Sequence, residues 1–274
     1  MNTSAASAVI SIANFRTQML SSLMNLGSDA GSSFGDIMTG IQASSDNSMP
    51  ALSDPASAYA MMTKINGLDV TYKAQYSELH QMDSYLPRLA EAARQLGGVA
   101  STDANDSIKA KLGDFVRQYN AWVQRFNPDV QGGGVLDNVQ AGELPLYELD
   151  QVIENRFIGA KDGFQGLADM GISIDATTGL MSVNSSQLDT VLGSNKQAVV
   201  NALGEFSAKF ATEADLLAAD DNLIQHRLNN LGGAITYIDG NVGSWQKEFG
   251  SGDAASPTGK IAQALAAYNN AYGI

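Results

Sequence analysis

The 274-residue sequence contains no cysteine. That excludes disulfides, thiol nucleophiles and every thiolate-held metal. Histidine is nearly absent too. The two present, His80 and His226, each stand alone in helical sequence, where a single imidazole is a surface or interface residue rather than half of a catalytic pair. Cations are scarce: 16 Lys and Arg face 29 Asp and Glu, a formal net charge of −13. Between Asp129 and Asp189 the only basic residues are Arg156 and Lys161. So acidic a surface repels phosphate backbones and excludes nucleic acid as a partner. No apolar run approaches the ~18 residues of a membrane span. The first 25 residues lack the basic start and apolar stretch of a cleaved secretory signal, so any export is expected to use an uncleaved route.

Chemistry-bearing motifs are missing as well. Gly132-Gly133-Gly134 precedes no Lys-Ser/Thr, so it is no phosphate loop. Asp175 to Gly179 lacks the alternating acidic ligands and closing Glu of a calcium loop. No carboxylate pair sits at a catalytic spacing beside a base or nucleophile. The sequence therefore predicts no enzyme, no cofactor and no metal.

What is present is helical periodicity. Apolar residues make up 44% of the chain, enough for a core. Val9, Ile12, Phe15, Met19, Leu23 and Leu26 recur at helical spacing between Thr3 and Leu26, with Arg16 the single charge. So weakly charged a helix is read as docking on its own core or on copies of itself. Gly27 to Ser57, with Pro50 and Pro55, reads as mostly loop. Then Met61, Ile65, Leu68, Tyr72, Gln75, Leu79, Met82, Leu86, Leu89, Ala93 and Leu96 alternate steps of four and three, a heptad seam. Pro87 is expected to kink or interrupt it, and Gly97-Gly98 to end it. Gln75 is its one polar member, so Gln75→Leu is expected to raise stability while loosening register.

A second helix is predicted from about Asp106 to Phe126, ended by Asn127-Pro128, and a shorter one from about Leu146 to Phe157. Ile172-Ser173-Ile174 and Met181-Ser182-Val183 alternate around Asp175–Gly179, which reads as a hairpin resting on a helix through Ile172, Ile174, Met181 and Val183. Asn184-Ser185-Ser186 caps the next helix, and another runs from Lys196 to about Ala218. The last long element steps through Ile224, Leu228, Leu231, Ile235, Ile238, Val242, Trp245 and Phe249, a rod of roughly 40 Å. After Gly250 to Thr258 a final amphipathic segment carries Ile261, Leu265, Tyr268 and Tyr272.

The fold class expected is mainly α: an elongated helical bundle or coiled coil with a small β-hairpin insertion. The two heptad helices are expected to pack on each other. The organisation expected is an amino-terminal helix and flexible loop over 1–57, the bundle over 58–257 and a carboxy-terminal helix over 258–274. Both terminal helices are expected to be mobile in the free monomer, because isolated helices this short are marginal in water.

Four stretches in order carry a resemblance. "LADMGISIDATTGLMSVNSSQLDTVL" supplies Leu167, Ala168, Asp169, Gly171, Ile172, Gly179, Met181, Val183, Asn184 and Leu188. "IKAKLGDFVRQYNAWVQRF" supplies Phe115, Val116, Tyr119 and Asn120. The rod and the terminal segment follow. This pattern, over about Ser107 to Ile274, resembles the flagellar filament cap family, also called hook-associated protein 2. That family's large β-rich outer domains have no counterpart here, where only Ala43 to Ala58 stands at the place of insertion. The resemblance implies an assembly protein of the bacterial flagellum, extracellular, capping the filament end as a homo-oligomer and guiding flagellin insertion. Partners implied are further copies of itself and flagellin or other flagellar axial proteins. The contacts would fall on Val9, Ile12, Phe15, Met19 and Leu23 at one end of the chain and Ile261, Leu265, Tyr268 and Tyr272 at the other. The alternatives are a self-polymerising filament or junction subunit and a soluble coiled-coil export adaptor.

Overall fold

The computed structural model describes residues 55–154 and 163–273. Six helices and one antiparallel hairpin make it mainly α with a small β element, as the sequence predicts. In chain order these are α1 (Pro55–Gly97), α2 (Asn105–Val130), α3 (Gln140–Glu154), a 3-10 turn (Leu167–Met170), β1 (Ile172–Ile174), β2 (Met181–Val183), α4 (Ser185–Leu217), α5 (Leu223–Phe249) and α6 (Gly259–Tyr272). The chain divides into two compact units. One gathers 55–77 with 227–273, and the other holds 78–226 apart from the residues outside the description.

Proline places the first differences from the sequence reading. Pro55 opens α1 rather than lying in a loop; its missing N–H is one of the four orphan donors of any helix start. Pro87 does not interrupt α1. Met82, Leu86, Leu89, Ala90 and Ala93 on both sides of it are fully buried, and that burial outweighs the roughly 3 kcal/mol an interior proline costs. Pro128 does not stop α2 either, which runs on to Val130. There the buried Asp129 accepts from Arg125 at 2.8 Å and its carbonyl accepts from the Leu136 N–H at 2.8 Å, so the last turn is held in place. The third helix starts at Gln140, six residues before the expected Leu146, with Pro145 inside it.

In the unit of 78–226, α2 supplies Phe115, Tyr119, Trp122 and Phe126 to the core, all at most 2% exposed. Phe115 meets Phe206 and Phe210 of α4 edge-on at 5.4 and 5.0 Å, and Tyr85 of α1 meets Phe126 edge-on at 5.6 Å. Edge-to-face geometry sets the positive rim of one ring against the negative face of the next. The helix expected at Ser185 and the one expected at Lys196 are joined in α4, which kinks at Asn195 (φ −150°, ψ 66°). The Asn195 side chain accepts from the Ala198 N–H, a cap for the second half.

In the other unit, α1 and α5 pair antiparallel. Met62 and Ile65 form a buried cluster with Trp245, flanked by Ile238, Val242 and Phe249. Further along α1, Lys73 bonds Asp239 at 2.9 Å, and Arg227 donates to Gln75 at 3.0 Å. Partners fall along α5 as numbers rise along α1. The heptad helices thus meet over this unit, with Met62 rather than Met61 as the buried member at the start of the seam.

Candidate partner-binding surfaces

Val9, Ile12, Phe15, Met19 and Leu23 lie outside the described residues. The carboxy-terminal candidates are on α6. Tyr268 is buried, Ile261 and Leu265 are half-buried, and Tyr272 is exposed. Tyr76 of α1 receives Tyr268 at 5.9 Å and 87°, and Tyr272 at 6.1 Å and 68°. A hydrogen bond with Tyr272, then burial, push the Tyr76 hydroxyl up to about 12. The expectation of a free terminal helix meets a correction here: α6 is seated on α1 through three tyrosines. Aromatic edge contacts supply what a 14-residue helix lacks alone.

Sequence reasoning missed how the preceding segment is held. Asn66 donates to the carbonyls of Ser251 and Asp253 at 3.0 and 2.8 Å. Thr63 Oγ1 accepts from the Asp253 N–H at 2.8 Å, and Tyr59 Oη donates to the Asp253 carboxylate at 2.6 Å. Gly252 sits at φ +63°, and a Cβ there would lie 2.5 Å from the Thr63 backbone nitrogen. Tyr59, Thr63 and Asn66 recur at i, i+4 and i+7, one face of α1. That spacing was the available signal, but polar residues at helical period ordinarily mean only a solvated face.

Along α5, Ile224, Leu228, Leu231, Ile235 and Trp245 are buried, while Ile238, Val242 and Phe249 are partly so. Beside them Lys73, itself buried, bridges Asp69 at 2.8 Å and Asp239 at 2.9 Å. Burial would lower its ammonium pKa, but the bonds to Asp239 and Asp69 more than offset this and raise it. Burial outweighs Lys73 at the other end and pushes the Asp69 carboxyl up.

In the unit of 78–226 the hairpin is set by its neighbours. Ile172 pairs with Val183 and Ile174 with Met181. Ile172 and Met181 are buried, whereas Ile174 and Val183 are half-buried, so only half of the expected inward set is truly inside. Asn120 of α2 clamps the edge of β2: its amide donates to the Met181 carbonyl at 2.9 Å and accepts from the Met181 N–H at 2.8 Å. Asp175 accepts from the Thr178 N–H at 2.8 Å, the Thr178 hydroxyl at 2.9 Å and the Thr177 N–H at 3.1 Å, and these bonds hold its carboxyl below the usual range. Gly171, at φ +82°, receives the Asn184 N–H on its carbonyl at 2.7 Å. Asn184 then caps α4 by accepting from the Gln187 N–H. Between α3 and α4, burial and the neighbouring Glu148 push the Glu213 carboxyl up, and burial with Glu154 does the same to Asp150.

Among the described residues no group of three His, Asp or Glu side chains is arranged to hold a metal ion. His80 and His226 are exposed on separate helices. No helix among the described residues is long and apolar enough to cross a membrane.

The chain is similar to the crystal structure of the flagellar cap protein FliD, D1-D2-D3 domains, from Escherichia coli, at 16% identity and a TM-score of 0.42. The similarity covers 47% of this chain and 37% of that one, so this chain spans well under two thirds of that structure. No curated protein matches the chain. The family described as "Flagellar hook-associated protein 2 C-terminus" matches residues 99–255, more than half of the chain. Those residues run from the loop after α1 to the segment gripped by Asn66, and take in Asn120, the hairpin and Asn184. The chain therefore belongs to the flagellar hook-associated protein 2 C-terminus family.

Proposed function

We propose that the protein is a structural and assembly subunit of the bacterial flagellum, extracellular, that caps the filament end as a homo-oligomer and guides incoming flagellin. The family match over 99–255 is the observation that carries this reading. The work required of such a subunit is geometric. Copies close around the growing end, and apolar terminal helices enter grooves between filament subunits in the helix-in-groove mode. The stripes Val9, Ile12, Phe15, Met19, Leu23 and Ile261, Leu265, Tyr268, Tyr272 would supply those contacts. The α1–α5 pairing, with the seam Ile224 to Phe249 on α5, would be the stiff support behind them. No reaction is assigned, and no cofactor.

A self-polymerising filament or junction subunit is the second reading, favoured by the same apolar stripes. Light scattering on the purified chain, followed by electron microscopy of the assemblies, separates the readings. Closed rings are expected. Open fibres would replace the cap with a filament subunit, and a lone monomer at every concentration would favour an export adaptor.

A further inference from the structure

Two of the features above belong together. Of the stripe assigned to partner contacts on α6, Tyr268 is turned inward at 8% exposed, with Ala264 of the same helix 1% exposed, and Tyr76 receives Tyr268 edge-on, while Ile261 and Leu265 are half-buried and Tyr272 is exposed. Tyr268 and Ala264 are the only residues of α6 that are fully covered, so the seat is shallow. The segment leading into it carries three glycines in the left-handed region, Gly250 (φ +86°), Gly252 (φ +63°) and Gly259 (φ +57°). Gly250 and Gly259 bracket residues 251–258 with open space around them, and such positions are where a chain can swing with little steric resistance, while Gly252 lies inside the segment against the Thr63 backbone. Tyr59, Thr63 and Asn66 grip this segment by four hydrogen bonds, all at exposed positions where water competes. A shallow seat, hinges on both sides and a solvent-accessible grip are the parts of a releasable latch.

We infer that α6 docked on Tyr76 is an autoinhibitory contact, and that the grip of Tyr59, Thr63 and Asn66 on residues 251–253 is the latch that holds it. This rests on the reading of α6 as a partner-contact helix. While the latch is closed, Tyr268 lies against Tyr76 of the protein's own α1, and this central residue of the stripe is not offered to a second copy of this chain. A second copy that binds α6 must displace it from Tyr76, so weakening the latch lowers the concentration at which copies associate.

The absence of cysteine makes the test clean. Ala264→Cys places a single thiol under α6, and its rate of maleimide labelling in the full chain reports release of the helix. Adding Thr63→Val with Asn66→Ala removes three of the four hydrogen bonds of the grip, which predicts labelling faster by about tenfold. Self-association, measured by sedimentation, should shift to lower concentration in the same variant without the added thiol. Gly252→Ala reaches the same end from the segment itself, by setting a Cβ against the Thr63 backbone while changing no residue of α1, so a folding defect of the double variant cannot masquerade as release. Unchanged labelling in both backgrounds would overturn the latch. Faster labelling with unchanged or weaker self-association would overturn the autoinhibition. The labelling rate needs no partner, so it fails or succeeds independently of the capping role, which fails by absence from filament ends.

Discussion

Asn120 does for β2 what a third strand would do. Its side-chain amide gives one donor and one acceptor to the backbone of Met181, 61 residues away. A two-stranded hairpin is marginal in water, and this clamp with the burial of Ile172 and Met181 ties it to α2. Asn120→Leu leaves a partly buried N–H and C=O without partners and should cost about 1–3 kcal/mol in urea unfolding. Unchanged stability would show that water replaces the amide. Gln75 changes sign between sequence and structure. As a polar seam residue it is expected to be a burden, yet it accepts from Arg227 at 3.0 Å in part-buried surroundings. A hydrogen bond to a charged group contributes about 1.5–3 kcal/mol, so Gln75→Leu should lower the melting temperature rather than raise it. The sequence exposes periodicity, but it does not show which cation on another helix lies across from a polar seam position.

Among the elements, α1 carries a defect that can be removed. Pro87 is exposed, so Pro87→Ala loses no packing. It restores one N–H to the Asp83 carbonyl and removes the ring's clash with that turn. Chemical denaturation should show a gain of up to about 3 kcal/mol. No gain would mean that α1 is bent to suit the proline. The α3–α4 contact carries crowded carboxylates of the opposite consequence. Glu213 has its carboxyl pushed up by burial and by Glu148, so the folded state holds a proton where the unfolded chain has already released it. Its ionised form therefore weakens folding at neutral pH, and stability rises as pH falls through the raised value. Glu213→Gln should raise the melting temperature at neutral pH, with the difference shrinking on acidification. A gain that persists unchanged into acid would point away from charge. Helix existence was legible from heptad steps, whereas helix ends were not. Pro55 and Pro128 were read as punctuation, yet Pro55 sits at the first position of α1, where the missing N–H has no partner to lose, and Pro128 lies inside the last turn of α2, whose end is held by the bonds of Asp129.

At the scale of the molecule, the family was legible because its motifs are local constraints of the fold. Gly171 is needed at positive φ, Asn184 caps α4, Asn120 clamps β2 and Phe115 packs the core, each visible as a residue type at a fixed place in the chain. The grip on 251–253 and the seat of α6 were not legible. They join residues nearly 200 positions apart, through side chains whose spacing alone looks like ordinary surface. Capping, in contrast, is a property of assembled copies on a filament, and it is tested there. The direct measurement is to bind the gold-labelled chain to isolated flagella that lack their own cap and image them by electron microscopy. Capping predicts a single cluster of gold at the distal end of each filament and bare shafts. Gold distributed along the shafts, or confined to the end nearest the cell, would contradict it.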